Sequence, residues 1–125
     1  MNPSEYRELD GLALGELVRN KEVTPSELLT AATQLADEHN DTLNAIVYRF
    51  DEMAMANAQN HDCQGTFAGV PMLLKDLGAD IQGVPTRFGC AFLPDEPGTF
   101  TSWLVERFLK AGLIPFAKTN TPELG

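Results

Sequence analysis

The sequence predicts an α/β fold, with N-terminal helices followed by the start of a mixed or parallel sheet flanked by helices. Three observations carry that prediction. Apolar stripes at helical spacing, each behind a strong start signal, fill the first half of the chain. Two nearly unbroken apolar runs, Val70 to Leu74 and Leu113 to Ala117, have the pattern of strands buried on both faces of a parallel sheet. One amphipathic helical stretch lies between those runs, giving the strand–helix–strand order of a parallel crossover.

Element by element, Met1 to Leu9 is polar and reads as frayed or loosely docked. Asp10 caps a helix whose stripe is Leu12, Leu14, Leu17 and Val18. Thr24-Pro25-Ser26-Glu27 starts the next helix, with Thr24 as cap, Pro25 in the first turn and Glu27 closing a capping box. Its apolar face includes Leu28, Leu29, Ala32 and Leu35, and it should stop near His39-Asn40-Asp41. Ala45 to Tyr48 reads as a short strand, after which Asp51 is expected to cap a third helix. Asn60 to Gly65 is a loop. The glycines and prolines between Gly78 and Pro97 mark a long irregular segment. Thr99 or Thr101 should open a helix carrying Trp103, Leu104, Phe108 and Leu109, with Gly112 as its left-handed terminator. Thr121-Pro122-Glu123 repeats the start signal of Thr24-Pro25 and predicts a helix, or at least a tight turn.

Composition narrows the function classes. The chain has 125 residues, 43% of them hydrophobic and 22% charged, which fits a packed globular piece rather than a disordered one. Its formal net charge of −9 argues against a nucleic-acid partner and against an anionic membrane surface. The N-terminus has no basic and apolar leader, and no apolar run approaches a membrane span, so the expected location is the cytoplasm. Cys63 and Cys90 form no metal-binding or redox motif, and they are expected as free thiols. No cofactor or metal is indicated.

In parallel α/β sheets ligands gather outside the carboxyl ends of strands. Two lysines stand there, Lys75 and Lys118. Each is open to two readings: a solvated or ion-paired cation, or a desolvated amine whose lowered pKa lets it take a proton or form an imine. Asp76, next along the strand, faces the other way and need not pair with Lys75. The serines are Ser4, Ser26 and Ser102, in the tail and at helix starts, and none lies on a glycine-flanked turn of nucleophile type. His39 and His61 read as surface histidines.

Phe67-Ala68-Gly69-Val70-Pro71-Met72-Leu73-Leu74-Lys75-Asp76 resembles a motif of the amidase signature family. Gly83-Val84-Pro85-Thr86 before Phe88-Gly89, and Ala111-Gly112-Leu113-Ile114 with Lys118-Thr119-Asn120-Thr121-Pro122-Glu123-Leu124-Gly125, extend the match in order. The resemblance covers nearly the whole chain. It implies a small-molecule amide substrate and hydrolysis through an acyl-enzyme by a Ser–cis-Ser–Lys triad, with Lys75 as the lysine. It also implies that both serines lie in a Gly- and Ser-rich signature absent from these residues. Residues 1–125 then read as the N-terminal portion of one amidase domain, incomplete, with 1–64 mainly helical and 65–125 the βαβ portion carrying Lys75. The family often has a second threonine where Arg87 stands, a serine at Cys90 and a glycine at Ala117, differences that bear on substrate preference more than on fold. A homo-oligomer is compatible with this reading. The alternative is a non-catalytic remnant or interaction module pairing through an open sheet edge.

Overall fold

The computed structural model describes all 125 residues, Met1–Gly125. Its elements are α1 (Pro3–Arg7), α2 (Gly11–Arg19), α3 (Pro25–Leu43), β1 (Ile46–Arg49), α4 (Asp51–Gln59), β2 (Pro71–Lys75), α5 (Trp103–Lys110) and β3 (Ile114–Thr119). No helix is long and apolar enough to cross a membrane.

The start signals work largely as their chemistry requires. Asp10 Oδ1 accepts from the backbone N–H groups of Leu12 and Ala13, at 3.0 and 2.9 Å. Thr24 and Glu27 form the reciprocal capping box of α3. Hydrogen bonds from the Thr24 backbone and hydroxyl hold the Glu27 carboxyl below its ordinary range. The tail departs from expectation. Asn2 and Glu5 make a second capping box, so residues 3–7 form α1 instead of fraying. Tyr6 then packs against the two hydrophobic clusters that meet beneath it.

Three helix ends differ as well. α3 runs on to Leu43 and stops at Asn44, whose φ of 48° is the left-handed turn that ends it. Asp51 does not cap α4. It is the first helical residue, and its carboxylate is taken by Arg49 at 2.7 Å. Ser102, not Thr99 or Thr101, caps α5, while Thr101 Oγ1 accepts from the Gln82 N–H across the loop. Outward on α5, Trp103 and Leu104 are exposed, whereas Val105 is buried.

The sheet has the order β1-β3-β2, with β1 antiparallel and β2 parallel to β3. β3 is the central strand and is buried from Ile114 to Lys118. β2 is an edge, so the expectation of burial on both faces fails there. Leu73 is 37% exposed, and Lys75 is exposed too. The strand of the helical half, β1, joins the same sheet as the crossover, so 1–64 and 65–125 share one core. Leu29, Ala54, Ala58, Ile114 and Phe116 form the largest cluster under α3 and α4. Leu74, Ala79, Ile81, Val84 and Val105 form another on the α5 side.

Gly112, predicted as the left-handed terminator, has φ +95°, and a Cβ there would lie 2.6 Å from the Gln64 carbonyl oxygen and 2.9 Å from Ala68 Cα. Both the backbone angle and the space demand glycine. Gly112→Ala is therefore expected to lower stability by more than about 1 kcal/mol, seen as a lower midpoint in urea. A midpoint equal to wild type would show that neither constraint operates.

Candidate functional site

Strand direction decides where chemistry can gather. β2 and β3 run parallel, so their carboxyl ends lie side by side, and Asp76 N–H continues the ladder to the Thr119 carbonyl at 3.1 Å. β1 pairs antiparallel with β3, which brings its opening residues Ile46 and Tyr48 to the same end. A cleft of about 270 Å³ opens there, lined among others by Tyr48, Asp76, Pro85, Arg87, Cys90 and Asn120. A larger groove of about 380 Å³ lies between α3 and β2, but its walls are mostly apolar side chains such as Leu35, Leu43, Leu73 and Phe116. The polar cleft at the strand ends is the better candidate, because orienting a substrate needs a few placed polar groups.

The cleft wall is the irregular segment 76–95, held in shape by side chains and tight turns. Asp76, only 4% exposed, accepts from Arg87 N–H at 2.8 Å and Gly89 N–H at 3.3 Å. The Arg87 guanidinium donates to the carbonyls of Leu93 and Ala91, at 2.9 and 2.8 Å, and pairs with Asp95 at 3.2 Å. Phe88 and Gly89 both have positive φ, and a Cβ at Gly89 would sit 2.6 Å from the Thr121 carbonyl oxygen. Thus the segment after β3 packs directly on the turn after β2. Thr121-Pro122-Glu123, expected to open a helix or at least a tight turn, forms a turn, closed by Gly125 N–H to the Pro122 carbonyl at 3.0 Å.

The two lysines have different fates. Lys118 pairs in register with Leu74, and Lys75 with Thr119. Lys75 follows Leu74 and so leaves the opposite face of the sheet from Lys118. Within these residues Lys75 is exposed at the end of β2. Lys118 is fully buried, and its Nζ donates to the Ala79 carbonyl and to Thr86 Oγ1, the latter at 3.0 Å. Burial pushes its pKa below the ordinary 10.5, an effect partly offset by the Asp80 and Asp76 carboxylates. The dry amine at the end of this sheet is therefore that of Lys118. Sequence reading placed both lysines at strand ends but had no signal for which face each would take; the loop that covers Lys118 supplies the difference.

The remaining candidates are structural. Ser26 lies in the first turn of α3, Ser4 in that of α1, and Ser102 caps α5. His61, expected at the surface, is half-buried. Its Nε2–H donates to the Gly112 carbonyl at 3.0 Å, and its Nδ1 accepts from Cys63 N–H at 2.9 Å. Both cysteines are free; Cys90 is buried at the cleft, with Sγ 3.8 Å from Glu123 Oε1. No three His, Cys, Asp or Glu side chains converge as metal ligands.

A family profile described as amidase matches residues 27–125. The chain is 38% identical over 123 residues to a lipoamidase of Enterococcus faecalis, covering 98% of this chain and 17% of that protein. It is 34% identical over 118 residues to a 6-aminohexanoate-cyclic-dimer hydrolase of Paenarthrobacter ureafaciens, covering 93% and 24%. Among solved structures, a bacterial aryl acylamidase of the amidase signature enzymes superposes with a TM-score of 0.86 at 28% identity, covering 94% of this chain and 26% of that one. The chain thus spans a quarter or less of the length of these two curated relatives.

The buried ammonium has a consequence for stability. Unfolded, Lys118 keeps its proton up to about 10.5; folded, it releases it at lower pH. Between those values the unfolded state binds more protons, so stability rises with pH there. Tyr6, whose phenol burial pushes above 10.0, also favours the folded state less as pH climbs past that value. The comparison with Lys118→Met isolates the lysine. Urea midpoints across the alkaline range should rise more steeply in wild type than in the variant, and parallel profiles would reject the assignment.

Proposed function

The chain belongs to the amidase family, and from that premise we propose that it supplies the lysine of an amide hydrolase acting on small carboxylic amides. Lys75 is that lysine. The observation that carries the reading is the Gly69-Val70-Pro71-Met72-Leu73-Leu74-Lys75-Asp76 segment, in which Pro71–Lys75 form β2 and Asp76 lines the polar cleft.

In this scheme Lys75, as the neutral amine, works with a cis-serine to take the hydroxyl proton of a second serine while that oxygen attacks the amide carbonyl. The proton passes to the leaving amine, and water then hydrolyses the acyl-enzyme. Both serines and the oxyanion-binding amides come from sequence outside these 125 residues. The serines within them support that division, since each sits at a helix start and none at a strand end. The Lys75 side chain is exposed within these residues, so the proposed site is completed over it by the rest of the protein.

Two measurements test this. In a full-length protein carrying this chain, Lys75→Ala should lower kcat for a simple aliphatic amide by several orders of magnitude, roughly 10³-fold or more as for other triad members. Turnover near that of wild type would remove Lys75 from the mechanism. The 125-residue chain alone should hydrolyse nothing, because it has neither nucleophile nor oxyanion donors; Lys75-dependent hydrolysis by the purified short chain would refute the division of labour.

A further inference from the structure

Lys118 is a puzzle if only packing is considered. Its side chain runs on the face shared with Leu74 and Tyr48, its register partners on β2 and β1. Ala79, Ile81, Val84 and Val105 close that face as a hydrophobic cluster. Leucine or methionine would fill the same volume with no ammonium to satisfy, and a buried charge is costly unless its lost hydrogen bonds to water are replaced. What the ammonium provides is a fixed point. It joins the central strand to both limbs of the segment that follows β2, at the Ala79 carbonyl and the Thr86 hydroxyl. Thr86 stands between Pro85 and Arg87, both in the cleft wall, and the next turns are those whose N–H groups hold Asp76.

We propose that Lys118 is a positioning residue: by tying Ala79 and Thr86 to β3, it fixes the cleft wall from Pro85 to Cys90 against which an amide substrate is held. The proposal rests on the reading of the chain as part of an amide hydrolase, and in it Lys118 touches no reacting atom. An unpinned wall loses contacts that ground state and transition state share, which raises KM and leaves kcat nearly unchanged. A lysine that served folding alone would act differently. Its loss would reduce the folded fraction, lowering apparent kcat without moving KM.

The test uses the full-length protein with hexanamide as substrate. Lys118→Met keeps the volume and removes the donors; Thr86→Val keeps the shape and removes the acceptor; Thr86→Ser returns the hydroxyl. KM is expected to rise about tenfold in the first two, the size of one lost hydrogen bond to a charged group, and to return to within about twofold of wild type in the third. Unchanged KM in Lys118→Met and Thr86→Val, or an equal rise in Thr86→Ser, overturns the proposal. Should Lys118→Met fail to fold, the Thr86 pair decides alone. Lys75→Ala separates the two readings: retained turnover there defeats the lysine-centred mechanism, while KM at positions 118 and 86 still reports on the wall. If hexanamide is not turned over at all, hydrogen exchange at the Arg87 and Gly89 amides decides. Exchange faster by about tenfold or more in Thr86→Val but not in Thr86→Ser upholds the pinning, and equal exchange in all variants refutes it.

Discussion

Lys118 has lost all its water, and its Nζ regains hydrogen bonds from two groups only, the Ala79 carbonyl and the Thr86 hydroxyl. Both partners belong to the irregular segment after β2, so the cost of burying the charge is met only while that segment lies down on β3. The ammonium and the loop are each the condition for the other. Removing either leaves a buried polar group without a partner, which is the expensive way to lose a hydrogen bond. Everything described at the strand ends follows from that coupling, because the same segment goes on to form the wall of the polar cleft.

Asp76 is the complementary anchor. Its carboxylate is buried one residue beyond the end of β2 and takes the N–H groups of Arg87 and Gly89. A segment without helix or strand has no ladder to satisfy its backbone, and buried main-chain groups must find partners elsewhere. Here an anion collects N–H groups and a cation collects oxygens from one loop. Gly83 and Gly98 add direct backbone bonds across the loop, Gly83 N–H to Gly98 carbonyl at 2.8 Å and Gly98 N–H to Val84 carbonyl at 3.1 Å. Such a loop is as determined as a strand, although nothing in its composition marks it as rigid.

That contrast explains what could be read from residues alone. Thr24-Pro25-Ser26-Glu27 announces α3 because every group in a capping box lies within four consecutive positions. Asn2-Pro3-Ser4-Glu5 carries the same chemistry and builds α1 in the same way, yet its polar setting disguised it as a tail. Gly112 was legible because a left-handed residue after a helix has one cheap solution. The caps at Asp51 and Thr99 or Thr101 were misplaced because tertiary partners, Arg49 and Gln82 N–H, compete for those side chains. Burial of His61 and Lys118 depends on carbonyls far along the chain, Gly112 for one and Ala79 for the other. No local pattern encodes those meetings. The motif around Lys75 marked the end of β2, where the polar cleft opens; which lysine would be dry was a property of the loop's path.

The opposite facing of the two lysines makes their roles separable on physical grounds. They are the register partners of Thr119 and Leu74, one step apart, so a single sheet sends one amine to each side. On the Lys118 side the chain supplies its own cover, and the amine is held by two fixed partners, the Ala79 carbonyl and the Thr86 hydroxyl. On the Lys75 side the edge of β2 is open, with Leu73 part-exposed before it. In the proposed mechanism the amine accepts and returns a proton in each turnover, which needs a partner that changes, and therefore a site that is not already filled. Under the proposed mechanism, the geometry that makes Lys118 the more desolvated group also occupies its Nζ with fixed partners, and the exposed Lys75 is the lysine whose site remains open.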